Sequence, residues 1–277
     1  MAVRPAAVAG TWYPGSASQL ASAVRRHLES AARDASAAVP PDAAPIALIA
    51  PHAGLVYSGR VAAYGYALLQ SHRFDTIVLV GPSHYLGFDG ASIWSQGAFE
   101  TPLGNLRVDH DLASAIAAQC PSVEDRPEAH AREHSLEMQL PFLAALAPRT
   151  PIVPIVMGFQ TRETAYALAD GIVAAVGGRR VLLVASSDLS HFYDAQTASA
   201  LDHEVIARVD ALDDEGLMAL LERRADHACG GGPMVTVLRA ARALGATTSC
   251  VLRYADSGDV SGDKSSVVGY MAAAVWR

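Results

Sequence analysis

Short apolar runs, several rich in β-branched residues, alternate along the chain with stretches of helical period. The runs predict strands at Ile46–Ala50, Thr76–Gly81, Ile152–Met157, Val181–Ser186, Ser249–Tyr254 and Val267–Val275. Most are brief and continuously apolar, the pattern of a strand buried on both faces. The stretches between them predict helices at Ser18–Ala32, Ser58–Ser71, Asp111–Gln119, Ser135–Ala147, Arg162–Val176, Ala195–Val209, Gly216–Arg223 and Met234–Leu244. This alternation predicts an α/β fold, with a central, mostly parallel or mixed β-sheet covered by helices on both faces. Two stretches interrupt the pattern. Asp34–Pro45, with three prolines among its alanines, reads as a surface linker into the first sheet strand. Phe88–Asp109 sets Gly90, Gly97, Pro102 and Gly104 among Ile93, Trp94, Phe99 and Leu106. It reads as a hairpin-like excursion, either the wall of an active site or a plain connection. No internal repeat is visible, and residues 1–277 are read as one domain.

Composition narrows the function more than the fold. The 277 residues are 51% hydrophobic and 18% charged, enough apolar surface for a sizeable core and too much for a disordered chain. The formal net charge is −7, and paired arginines such as Arg25-Arg26, Arg179-Arg180 and Arg223-Arg224 are scattered. A nucleic-acid partner would need a basic stripe, which is missing. The start, Met1-Ala2-Val3-Arg4-Pro5, lacks the charged, apolar and cleavage regions of a signal peptide. No apolar run approaches the roughly 20 residues that cross a bilayer. The expectation is a cytoplasmic protein with no membrane partner. Three cysteines, Cys120, Cys229 and Cys250, do not make a disulfide framework. In a reducing compartment they would be free thiols or metal ligands.

Candidate chemistry gathers where strands are predicted to end. His52 lies in Pro51-His52-Ala53-Gly54, and His84 in Gly81-Pro82-Ser83-His84, each just past an apolar run. In open α/β sheets, ligand sites form beyond such strand ends. A single histidine of this kind is more simply a satisfied core or surface residue; a second in the same setting brings a metal role level with that reading. Asp188 and His191 follow Val181–Ser186 in Ser187-Asp188-Leu189-Ser190-His191. The carboxylate there could orient the imidazole and tune it for proton transfer, or the segment could simply cap a helix. Cys229 precedes three glycines, Pro233 and the predicted helix from Met234. That helix end would favour a thiolate, a soft ligand for copper, zinc or iron, against the plainer reading of a small buried cysteine. Glu133-His134-Ser135-Leu136-Glu137 offers two carboxylates and an imidazole that are either acid–base groups or ordinary first-turn residues.

Taken in order, these motifs resemble the Memo family, whose prokaryotic members are also called AmmeMemoRadiSam system protein B. The resemblance runs from Ala9-Gly10-Thr11-Trp12-Tyr13-Pro14 through the His52 segment with Tyr57-Ser58-Gly59 to the His84 segment. It continues through Thr101-Pro102-Leu103-Gly104, Glu133–Glu137, Ser187–His191 and Cys229-Gly230-Gly231. It implies a fold similar to class III extradiol dioxygenases of non-haem iron. It also implies a metal site at His52, His84 and Cys229 with His191 close by. The thiolate departs from the two-histidine, one-glutamate set of the extradiol enzymes, which puts ring cleavage in doubt.

The leading expectation is therefore a redox enzyme holding one transition metal ion per chain, iron or copper before zinc. It would act on a small organic substrate with O₂. His52, His84 and Cys229 would hold the metal. His191, oriented by Asp188, would move protons, and His134 and Tyr57 would line the pocket. The resemblance also implies a functional partnership with a radical SAM protein and an AMMECR-type protein. A metal- or peptide-binding protein without catalysis, and a zinc hydrolase, are the alternatives.

Overall fold

The computed structural model describes residues 2–40 and 43–277. In chain order the elements begin with β1 (Val3–Arg4), α1 (Ala17–Ala38), β2 (Ala47–Ala50), α2 (Leu55–Ala67), β3 (Thr76–Pro82), β4 (Ala91–Ile93), β5 (Ala98–Phe99) and β6 (Leu106–Arg107). Then come α3 (His110–Gln119), β7 (Val123–Glu124), α4 (Pro127–Ala131), α5 (Leu140–Leu146), β8 (Ile152–Met157), α6 (Arg162–Val176) and β9 (Val181–Ser186). The last are β10 (His191–Tyr193), α7 (Ala195–Asp210), α8 (Asp214–Arg223), α9 (Gly231–Ala243), β11 (Thr248–Asp256), α10 (Gly258–Ser261) and β12 (Val267–Trp276).

The main sheet runs β10-β12-β2-β9-β3-β8-β4-β7, with β11 on β12. Its centre, β2-β9-β3-β8, is parallel, whereas β12 and β4 join it antiparallel. Every residue of the four central strands is buried. Their side chains alternate between two cores, one on each face of the sheet. Leu48, Ile77, Leu79, Leu182 and Val184 pack with α1 and α2; Ile49, Val78, Val80, Leu183 and Ala185 pack with α6 and α9. Burial on both sides is why these strands read as unbroken apolar runs. Among the described residues no helix is long and apolar enough to cross a membrane.

Three stretches differ most from the sequence reading, each for a local reason. The first helix continues to Ala38, so the segment read as a linker from Asp34 is helical at its start. Ala31 and Ala35 stay buried in the α1–α2 core, and the helix ends at Val39, which the following proline holds extended. Residues 41 and 42 of that linker lie outside the described residues. The helix expected over Ser135–Ala147 is confined to α5, preceded by a 3-10 turn at Glu137–Gln139. Pro141 suits the first turn of a helix and no later position. The stretch Phe88–Asp109 divides. Its first part gives β4 to the main sheet; the rest is an antiparallel β5–β6 hairpin that takes β1 as a third, parallel strand.

Candidate metal centre

Three of the four central strands deliver chemistry at their carboxyl ends. Pro51 closes β2 and puts His52 on the next residue; Pro82 ends β3, with His84 two residues on. Asp188 lies two residues beyond the end of β9. The fourth strand, β8, leads to Gln160, which reaches over to the Cys229 loop. Its side-chain nitrogen donates to the Cys229 carbonyl at 2.7 Å, and its oxygen accepts from the Gly232 N–H at 2.7 Å. Two glycines allow the close approaches that assemble the site. A Cβ on Gly230 would sit 2.4 Å from the Ser186 carbonyl oxygen, and one on Gly81 would sit 2.7 Å from the Ser135 hydroxyl. Backbone meets backbone at the first of these, so no side chain fits.

The metal-capable atoms of His52, His84 and Cys229 all lie within 4.8 Å of one another. The Cys229 Sγ is 3.1 Å from His52 Nε2, and the His52 and His84 rings stand edge to face at 5.1 Å. His52 is buried, Cys229 half-buried and His84 open to solvent, so the cluster has a covered side and an accessible one. Around it the β9 end and the Cys229 loop exchange hydrogen bonds. The Asp188 N–H donates to Sγ at 3.3 Å, and the Cys229 N–H donates to the Asp188 carbonyl at 3.3 Å.

The His52, His84 and His191 rings are each anchored through Nδ1. His84 donates from Nδ1 to Glu133 Oε1 at 2.8 Å, because a carboxylate can only accept. In the neutral ring the lone pair is then on Nε2. His191 donates from Nδ1 to the Leu189 carbonyl at 2.8 Å, with the same result. Here the geometry differs from the sequence expectation. Asp188 does not grip His191; its Oδ1 accepts from the backbone N–H groups of His52, at 2.7 Å, and Ala53, at 3.2 Å. The carboxylate thus holds the His52 loop, and a carbonyl holds the His191 ring.

Burial dominates the electrostatics. It brings His52 down to about 3, with His84 adding to the shift, so the ring is neutral near pH 7. Burial pushes Asp188 up to about 6. Burial also drives the Cys229 thiol upward, and the Asp188 carboxylate adds to it. A bound cation would oppose both effects and favour the thiolate. Glu133 goes the other way. Its burial favours protonation, but the hydrogen bonds from His84 and the backbone hold it down to about 2.

Of the remaining sequence candidates, His134 falls beside the cluster. His134 is buried, tilted against Trp12 at 4.2 Å between ring centroids and stacked on His84 at 4.4 Å. Its Nδ1 has no hydrogen-bond partner. Together with His84 and Glu133 it forms a second group whose ligand atoms lie within 4.8 Å. Tyr57 stands 41% exposed in the first turn of α2.

The family profile of Memo-like proteins matches residues 4–274. The chain belongs to the Memo family. A MEMO1 family protein of Methanosarcina mazei is 39% identical over 280 residues, covering 99% of this chain and 100% of that one. Another, from Methanothermobacter thermautotrophicus, is 41% identical over 226 residues, covering 80% of this chain and 82% of the relative. Among solved structures, the Escherichia coli K12 uncharacterized protein JW3007 superposes with a TM-score of 0.55. That match covers 81% of this chain and 98% of the other at 18% identity, a likeness of fold alone.

Two parts of this Memo-family site are not visible in the motifs. One is the anchoring of Glu133, whose Oε1 also accepts from the N–H groups of His134, at 2.9 Å, and Ser135, at 2.8 Å. The other is Glu137, left open above as an acid–base or first-turn group. It is fully buried and paired with Arg4, and it also accepts from the N–H groups of Ala7 and Val8 and from the Tyr13 hydroxyl. It clamps the N-terminal segment and stands apart from the chemistry. A lone arginine such as Arg4 carries no sequence signal for burial.

Proposed function

We propose that this Memo-family protein binds one iron or copper ion at His52, His84 and Cys229 and uses it for redox chemistry on a small organic substrate with O₂. The observation that carries the reading is the convergence of those three donors within 4.8 Å, on a cluster with one open side. The donor set fits a transition metal: a soft sulfur beside imidazole nitrogens selects copper or iron over the hard cations. Such an ion would supply single-electron chemistry toward oxygen, which no side chain here provides. The protein's own part is positional. His191, its Nδ1 fixed by the Leu189 carbonyl, is the group we assign to accept or return a proton at Nε2. Asp188 keeps the His52 loop in register. His134 and Trp12 form an aromatic wall beside the cluster, and Tyr57 at the start of α2, Tyr85 after β3, Phe159 after β8 and Phe192 in β10 stand exposed. A substrate with an apolar, planar frame suits that rim. A thiol ligand also fits a cytoplasmic, reducing location.

The test is metal analysis of protein purified without oxygen, followed by spectroscopy of the bound ion and measurement of O₂ uptake. Cys229→Ser is expected to lose most of the metal, whereas Cys120→Ser and Cys250→Ser retain it. His191→Ala is expected to keep the metal and lose O₂-linked turnover. Equal metal content in all three cysteine variants would remove Cys229 from the site. Tight metal binding in the wild type with no turnover under any reductant would leave a binding protein.

A further inference from the structure

We infer that a buried hydrogen-bond relay, Tyr66–Gln139–Ser186, fixes the tautomer of His52 and keeps its Nε2 bare toward Cys229 and His84; the inference rests on the metal-centre reading above. The polarity of the relay follows from two groups that can only accept, the carbonyls of Pro51 and Ser135. Gln139 Nε2 lies 3.1 Å from the Pro51 oxygen, so the amide presents nitrogen to it and not oxygen. Its second N–H reaches Ser186 Oγ at 2.7 Å, and its oxygen is left to accept from the Tyr66 hydroxyl at 2.8 Å. Ser186 has one proton, and the Ser135 carbonyl 2.6 Å away takes it. Ser186 Oγ can then only accept. The remaining partner, His52 Nδ1 at 2.9 Å, must be the one that donates. A neutral imidazole carries a single N–H, so Nε2 holds a free lone pair, 3.1 Å from the Cys229 sulfur.

Reversal of the relay has no stable form in this setting. If His52 Nδ1 were bare, Ser186 would turn its proton toward it and the buried Ser135 carbonyl would lose its donor. Tyr66, Ser135, Gln139 and Ser186 are all fully buried, so water does not replace a lost partner. The far end is held as firmly, because Tyr66 stacks on Phe142 at 4.8 Å with the rings 2° from parallel. Ser186 closes β9 and Gln139 precedes α5, so these two set the ring nitrogen, while Tyr66 in α2 satisfies the far oxygen of the amide. They are positioning residues. His84 is served by a carboxylate and His52 by a neutral chain, so the two imidazoles differ in donor strength although both present Nε2.

The experiment uses the full chain, metal-free, with ¹⁵N-labelled histidine. Two-bond ¹H–¹⁵N correlations report which ring nitrogen carries the proton, and cobalt(II) titration followed by its sulfur charge-transfer band reports affinity. The wild type is expected to show His52 in the Nδ1–H form alone. Gln139→Glu keeps size but has no N–H for Pro51 and Ser186; it and Ser186→Ala are expected to mix the tautomers. Both are expected to weaken cobalt binding by about 10–100-fold, the range seen when a ligand's hydrogen-bond partner is removed. Tyr66→Phe removes only a donor at the far end and is expected to keep the tautomer. An Nε2–H form of His52 in the wild type would overturn the relay outright, whether or not the variants fold. So would an unchanged tautomer and cobalt affinity in Gln139→Glu. Controls separate the two readings: if His52→Ala and Cys229→Ser bind cobalt as the wild type does, the metal centre is wrong, and the tautomer result still decides the relay.

Discussion

Glu137→Gln should cost this protein a large part of its stability, and the cost can be worked from the contacts. Glu137 is fully buried and Arg4 is 1% exposed. The carboxylate serves four donors: Arg4 and the Ala7 N–H at one oxygen, the Val8 N–H and the Tyr13 hydroxyl at the other. Glutamine has one acceptor oxygen. Its best placement keeps that oxygen toward Arg4 and Ala7. Tyr13 can then rotate to accept from the new NH₂, but the Val8 N–H loses its partner. An orphaned buried N–H costs about 1–3 kcal/mol. The larger loss is the counter-charge. Arg4 keeps its bonds to the His130 carbonyl, at 3.0 Å, and the Glu133 carbonyl, at 2.5 Å, yet its charge is left buried without an opposite one. Breaking a buried pair in this way costs about 3–5 kcal/mol. The sum is comparable with the ~5–15 kcal/mol that holds a whole domain together.

Urea unfolding followed by circular dichroism and by tryptophan fluorescence measures this directly, since Trp12 lies on the clamped segment. A midpoint for Glu137→Gln within about 1 kcal/mol of wild type would refute the assignment of the pair as a clamp. The double variant Arg4→Met with Glu137→Met separates charge from packing. It removes both charges together and so lifts the counter-charge penalty, but it orphans the Ala7 and Val8 N–H groups and the Tyr13 hydroxyl, so it is expected to recover only part of the loss.

Asp109→Asn should flatten the acid limb of stability. Asp109 caps α3 and accepts from Thr76 and Arg179; burial opposes ionisation, but these bonds hold the carboxyl below its ordinary value near 3.8. A folded-state value below the unfolded one gives stability that is present above the unfolded value and lost as pH falls through the folded one. Thermal melts from pH 6 down to pH 2 should therefore fall less steeply for the variant, and parallel curves would exclude Asp109 as a contributor. Gly230→Ala should cost about 1–3 kcal/mol by overpacking against the Ser186 carbonyl and should lower metal content by shifting Cys229. A variant with native stability and full metal occupancy would mean that the loop tolerates the movement.

The fold was legible because its four central strands are buried on both faces, which writes them as continuous apolar runs. The site was legible in part because proline and glycine mark the places where His52, His84 and Cys229 leave the regular elements. What holds these residues was not legible. The partners of His52 lie 134 positions away at Ser186, and Gln139 and Tyr66 sit within segments of unremarkable composition. The role of Asp188 was assigned from its closeness to His191 in sequence, but the sheet order puts β9 beside β2, and the carboxylate meets the His52 backbone first. Sequence spacing predicts neighbours along a strand end; only the order of strands predicts neighbours across it.

That same order explains why a clamp at the chain start bears on a centre built at four distant loops. Arg4 holds the Glu133 and His130 carbonyls, Glu133 holds the His84 ring and its backbone N–H, and Ser135 takes the Ser186 proton that leaves Ser186 free to accept from His52. The segment from His130 to Gln139 is therefore the common support of both imidazoles, one through a carboxylate and the other through the relay. It has little regular structure of its own to keep it in place: α4 ends inside it at Ala131, and a 3-10 turn, Glu137–Gln139, forms its far end. Its rigidity is tertiary, supplied from one side by the buried Arg4–Glu137 pair and from the other by β3, against which Gly81 lets Ser135 approach. Loosening the N-terminal segment should thus disturb both histidines together, while loosening the Cys229 loop through Gln160 should disturb the sulfur alone.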